Sequence, residues 1–255
     1  MSLANRLHIA LRAAGIHFLF SLGVALLSAL LVFGLWYPFP YRELSGGREL
    51  FLLVTSVDVV CGPLLTLVMF SPTKPRAELL RDLGLVVLIQ LTALGYGVWT
   101  VWMARPLYLV QEVDRFRVIA APDIEVQDLL KLPVELQPRL LSGPMTVGIR
   151  PPKDAQERLT VLRESVAGGR DYSQRPDFYV PYTGEVALRA LKRAKPLAVF
   201  LAKRPDQTEA ANALAHDKKA DMQQWLYLPA VGRQDWVAIL DQQGAIQGFL
   251  KGDGF

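Results

Sequence analysis

Cysteine and histidine are nearly missing from this chain. It has one cysteine, Cys61, and three histidines, His8, His17 and His216, in 255 residues. A lone cysteine excludes an internal disulfide framework, a CxxC redox motif and any cysteine-based metal site. No two histidines sit at ligand spacing, which argues against a zinc centre. Ser-His-Asp chemistry would need His216, in the polar stretch Asp217-Lys218-Lys219-Ala220-Asp221, as a positioned base. Gly168-Gly169 lacks the lysine and flanking pattern of a phosphate loop. Internal repeats and low-complexity segments are absent as well. A basic patch is also lacking, although the pI is 9.2. The basic residues are dispersed among acids, and the single cluster, Lys192, Arg193 and Lys195, reads as a solvated helix face. The charge therefore gives no case for nucleic acid.

What the chain has instead is length without charge. The runs 16–36, 50–70 and 83–103 contain one charged residue between them, Asp58. A twenty-residue helix covers ~30 Å, the thickness of a bilayer's hydrocarbon core. The first run exceeds a signal-peptide core and is followed by Trp36, Tyr37 and Pro38 rather than a small-residue cleavage site, so it reads as a retained anchor. Arg6 and Arg12 precede the first run, and Lys74, Arg76 and Arg81 lie between the second and third. Arg42 and Arg48 in the first loop have Glu43 and Glu49 beside them. This bias places a tail, 1–15, and the second loop in the cytoplasm and everything after residue 103 outside. Trp36 and Trp102 then fall at an outer aromatic belt, and Arg105, before the helix-ending Pro106, is placed to reach lipid head groups.

The polar remainder, 104–255, has the size of one ordinary domain. Residues 107–119 read as a strand, 124–130 as a short helix after Asp123, and 145–149 as a strand. Helices are expected over 155–166, 183–193 and 207–216. Residues 198–203 read as a helix, with a strand as the alternative. Strands at 225–229, 236–240 and 245–250 follow, the last two joined by an Asp241-Gln242-Gln243-Gly244 turn. The fold class is thus a membrane protein, three transmembrane helices followed by a small extracytoplasmic α+β domain with a mainly antiparallel sheet.

Asp58 needs a partner, since a mid-membrane acid costs roughly 2.5–3.5 kcal/mol on insertion scales. It lies ~12 Å below the outer end of its run, while Ser28 and Tyr96 rise ~18 and ~20 Å above the inner ends of theirs. Ser28 and the Tyr96 hydroxyl are the expected donors. Gly62-Pro63 should kink the second run, with Thr66 or a neighbouring span available to the carbonyl of Val59 that Pro63 frees. Outside the membrane, residues 168–182 gather Arg170, Asp171, Tyr172, Arg175, Phe178, Tyr179 and Tyr182. These residue types are enriched at interface centres, so the segment is the candidate partner-binding patch.

Several strings in order carry a resemblance: Trp36-Tyr37-Pro38, Asp58-Val59-Val60-Cys61-Gly62-Pro63-Leu64-Leu65-Thr66-Leu67, Ala104-Arg105-Pro106-Leu107-Tyr108-Leu109-Val110, Val113-Asp114-Arg115-Phe116, Gly168-Gly169-Arg170-Asp171-Tyr172, Arg175-Pro176 and Tyr179-Val180-Pro181-Tyr182. Together they resemble the TfpX/TfpZ family of type IV pilin accessory proteins of Gram-negative bacteria. The resemblance implies a multi-pass inner-membrane protein with a periplasmic domain. It further implies a non-catalytic chaperone or assembly factor, without cofactor, whose partner is a cognate type IV pilin and, beyond it, other pilus-assembly proteins. Two alternatives stay open: a membrane-anchored periplasmic sensor or regulator, and a pilin-modifying enzyme using Asp114, Asp171 or Asp177.

Overall fold

Apolar runs this long fold as helices because nothing in them except Pro63 interrupts the backbone ladder. A computed structural model describes residues 3–255. Helix α1 (Leu3–Leu31) runs on through a π-helical turn (Val32–Trp36), and a short α2 (Tyr41–Leu44) precedes α3 (Gly47–Met69) and α4 (Arg76–Met103). Three helices, Asn5–Trp36, Gly47–Met69 and Arg76–Met103, are long and apolar enough to cross a membrane. Residues 3–15, expected as a tail, continue α1; residues 1–2 of that tail lie outside the described residues. Glu49 and Glu78 stand in the first turns of α3 and α4, where the helix dipole favours an acid.

The chain forms two compact units. The first comprises residues up to Leu35 together with Gly47–Met103. Here α3 packs against both α1 and α4, while α1 and α4 share no comparable interface. The buried face of α3 carries Phe51, Thr55, Asp58, Gly62 and Thr66, at spacings of three and four. Small residues face inward on α1 as well, with Ala10, Ala14, Ser21 and Ala25 buried. Val54 of α3 sits against the bare Cα of Gly97 in α4. Large leucines and phenylalanines such as Leu19, Phe20, Leu53 and Leu88 point outward. Small and polar inside, large and apolar outside, is the arrangement of helices solvated by lipid.

The second unit joins Trp36–Gly46 to Ala104–Phe255. Its strands are β1 (Pro106–Glu112), β2 (Arg115–Ala120), β3 (Met145–Ile149), β4 (Tyr179–Pro181), β5 (Lys195–Pro196), β6 (Leu226–Val231), β7 (Asp235–Leu240) and β8 (Ile246–Lys251). Helices α5 (Val126–Leu130), α6 (Ala155–Val166), α7 (Glu185–Leu191), α8 (Leu197–Lys203) and α9 (Thr208–Lys218) connect them. One sheet results, in the order β4-β3-β1-β2-β6-β7-β8, with β5 also paired to β6. The sheet is mixed, not mainly antiparallel as expected, because β3 joins β1 and β6 joins β2 in parallel. The physical reason is that the β1–β2 hairpin already returns the chain to the end where β1 began, so β3, laid on the other edge of β1, runs parallel to it.

Residues 107–119 are not one strand but a hairpin. The chain turns at Val113-Asp114, with Val113 at φ 28°. The first loop is a second departure. Tyr41 and Leu44 enter the core with Leu109, Phe116, Leu228, Trp236 and Leu240. The Leu44 carbonyl accepts the Arg233 amide at 2.7 Å, so the segment is an integral piece of this domain.

Candidate functional site

Asp58 is the central residue of α3 and is 8% exposed. The expected donors lie elsewhere. Tyr96 is 69% exposed and packs on Trp99 with ring centroids 5.8 Å apart, and Ser28 is half-buried on α1. The residues that do meet around Asp58 are His17, Ser21, Thr66 and Gln90. The Gln90 amide nitrogen donates to the Ser21 hydroxyl at 2.8 Å and to the Asp58 backbone carbonyl at 3.0 Å. Its oxygen therefore faces His17 Nε2, 2.9 Å away, which must carry the proton. In the neutral ring Nδ1 then accepts from the Thr66 hydroxyl at 2.5 Å.

Beside this network the Asp58 carboxyl oxygen Oδ1 is buried with no hydrogen-bond partner. Thr55 Oγ1, one turn earlier on α3, is in the same position. Asp58, His17, Ser21, Thr66 and Gln90 also line a cleft of about 390 Å³ between α1 and α4, whose walls include Phe20 and Val87. Gly62 permits the arrangement, because its bare Cα is where the Gln90 amide lies. Helix α3 passes through Gly62-Pro63 without a break, and Thr66, expected to serve the Val59 carbonyl, is held by His17 instead.

Depths counted from the apolar boundaries of the runs do not bring these residues together. The helices begin earlier, so Gln90 falls near the middle of α4, opposite Asp58. The available signal was the inward stripe itself, with His17 and Ser21 one turn apart on α1 and Asp58, Gly62 and Thr66 successive turns of α3.

In the second unit, the segment 168–182 folds back onto the sheet. Tyr179 is buried beside Tyr108, ring centroids 4.9 Å apart, and its hydroxyl donates to the Ser173 carbonyl at 2.5 Å. The Tyr182 hydroxyl donates to the Gly244 carbonyl at 2.8 Å. Burial pushes both phenols well above their ordinary pKa. Phe178 is buried under the Arg150 guanidinium and against Tyr172. Arg170 pairs with Asp128 at 2.8 Å, Asp171 with Arg117 at 3.1 Å, and Arg175 with Glu164. Most of the side chains that suggested a binding patch are thus spent on the domain's own structure. Tyr172 retains solvent access, at a recess of about 480 Å³ where Arg158, Lys192 and Arg193 are exposed.

The lipid-anchor reading of Trp36 and Arg105 also changes. Trp36 is buried in the second unit, its indole nitrogen donating to the Leu140 carbonyl at 3.1 Å. Arg105 is buried beside Tyr37, and burial lowers its pKa. Trp102 is half-buried near the end of α4.

Comparison with known proteins bears on this arrangement. Residues 5–46, which span α1 and the segment that completes the second unit's core, match the family model described as "Fimbrial assembly protein FimB". A fimbrial assembly protein of serogroup I from Dichelobacter nodosus is 36% identical over 254 residues, covering 98% of both chains. The serogroup E1 protein of the same organism is 35% identical over 254 residues with the same coverage. That of serogroups C1 and C2 is 44% identical over 125 residues, 49% of this chain and 95% of that one. No solved structure matches. The first two relatives align with the helical unit and the mixed-sheet domain from end to end, and the chain belongs to the fimbrial assembly protein family.

Proposed function

We propose that this chain is a non-catalytic accessory protein of the bacterial inner membrane that binds a type IV pilin and assists its assembly into the fimbria. One observation carries the reading: likeness over 98% of both chains to proteins named for fimbrial assembly. In this reading α1, α3 and α4 cross the membrane with the N-terminus in the cytoplasm, and the mixed-sheet domain stands in the periplasm. The ordered strings that resemble the TfpX/TfpZ accessory proteins support the same assignment.

Two of the three acids that an enzymatic version would use are held in ion pairs. Asp114 is paired with Arg115 at 2.9 Å and Asp171 with Arg117 at 3.1 Å. The helical unit, by contrast, offers an apolar-walled cleft that Asp58, Ser21 and Gln90 also line, so pilin recognition is assigned to the membrane rather than to 168–182.

The test is removal of the gene from a fimbriated strain followed by complementation with the full chain. The expected result is loss of surface fimbriae while pilin of unchanged mass is still made, with restoration by the chain. Normal fimbriation without the gene overturns the role. A fall in pilin transcript would point to the regulatory reading, and a changed pilin mass to the modifying enzyme.

A further inference from the structure

We propose that the cleft between α1 and α4 seats one membrane helix of a partner protein, and that this helix presents an amine to Asp58. The inference rests on the membrane reading of α1, α3 and α4 and names the chemistry of the partner bound there.

Three observations carry it. The first is geometric: α3 packs against both α1 and α4, whose backbones stay apart and which meet through Gln90 with His17 and Ser21, so two helices form walls and a third the floor. A groove of that shape takes a fourth helix in the manner of a bundle. The second is chemical. Asp58 is more than nine-tenths buried, lines the cleft and keeps Oδ1 without a partner, while the Gln90 amide, the His17 Nε2–H and the Thr66 hydroxyl are engaged with other groups. A carboxylate in that state pairs best with a charge-assisted donor, which also removes the cost of a lone acid in the bilayer. The third is position. Asp58 is the midpoint of α3, so it lies ~15 Å from either edge of the hydrocarbon core, beyond the donors of lipid head groups.

Other occupants fit less well. An acyl chain offers no donor. A calcium ion wants six to eight oxygens, and the hydroxyls of Ser21 and Thr66 are held by Gln90 and His17. A second copy of this chain cannot supply the amine, because the runs 16–36, 50–70 and 83–103 contain no lysine or arginine. The partner is therefore a different protein. His17 is the other titratable group of the cleft, and its ring is committed to Thr66 and Gln90.

The test uses the full chain in lipid nanodiscs and a synthetic apolar helix of roughly twenty residues bearing a photo-crosslinker and a central lysine, leucine or serine. The lysine helix is expected to be captured about tenfold more than the leucine helix, the size of one interhelical polar contact. Asp58→Asn should bring that ratio to unity. Val87→Trp, which fills the cleft wall and leaves the polar network intact, should reduce capture of the lysine helix to the leucine level. Should Asp58→Asn fail to fold, the lysine-to-leucine ratio and Val87→Trp decide alone. Equal capture of lysine and leucine helices, or a ratio that survives either substitution, overturns the proposal; a preference for serine over lysine overturns the amine. Since the probe is not a pilin, failure here leaves the fimbrial role standing, and normal fimbriation without the gene leaves this result intact.

Discussion

Gln90 of α4 occupies the space that a side chain on Gly62 of α3 would need, its amide lying where a Cβ would be built. The same amide holds Ser21 and the Asp58 carbonyl and meets His17. Gly62→Ala should therefore displace Gln90 and open the network, at a cost of ~1–3 kcal/mol as overpacking does elsewhere. Unfolding of the purified protein in micelles measures it. Adding Gln90→Ala to Gly62→Ala should recover part of the loss, because the clash is then gone.

Tyr179 tests whether 168–182 is structural. Its buried hydroxyl donates to the Ser173 carbonyl, so Tyr179→Phe leaves a buried acceptor unpaired and should cost ~1–3 kcal/mol. Fimbriation should then fall only in step with the amount of the protein in the cell, as quantitative immunoblotting would show.

Val113 is a β-branched residue at φ 28° at an exposed hairpin tip. Such a conformation costs of order 1–3 kcal/mol, and glycine adopts it without strain. After the entropy cost of glycine, Val113→Gly should stabilise the mixed-sheet domain by about 1 kcal/mol. The check is a rise in its thermal midpoint.

Two carboxyls of the mixed-sheet domain give opposite pH dependences. Glu157 takes both Arg150 guanidinium nitrogens at 2.9 Å and the Lys153 amide, which holds its pKa at about 2, below the ordinary 4.5. Its contribution is present above pH 4.5 and is lost as pH falls toward 2. Glu157→Gln should flatten that acid limb. Glu112 is raised, first by burial and then by Asp171, against the pull of Arg117. Its contribution is present below the unfolded pKa and is lost as pH rises through the folded one. Glu112→Gln should gain on the parent as pH approaches 7. Denaturant titrations across pH 2–8, followed by tryptophan fluorescence, would read both.

The sequence announces the three long helices because apolar length without charge has no other stable outcome in a chain this size. Helix α6 and the hairpin β7–β8 were equally legible, each bounded by Pro, Gly or Asp turn signals. The β1–β2 turn was hidden because Val113 is a strand former, not a turn residue. The parallel pairings were hidden because they join strands distant along the chain, which local alternation does not encode. In the candidate site, Asp58 stood out as an acid in an apolar run. Its surroundings did not, because His17, Thr66 and Gln90 are set by rotation and helix start rather than by composition.

The most direct measurement places a photo-crosslinking residue at Phe20, in the cleft wall and largely exposed, within the full chain in fimbriated cells. A second probe at Val68, exposed on α3 and outside the cleft, serves as the reference. The account predicts that Phe20 captures the fimbrial subunit and Val68 does not. Absence of the subunit from the Phe20 adducts, or equal capture from both positions, would contradict it.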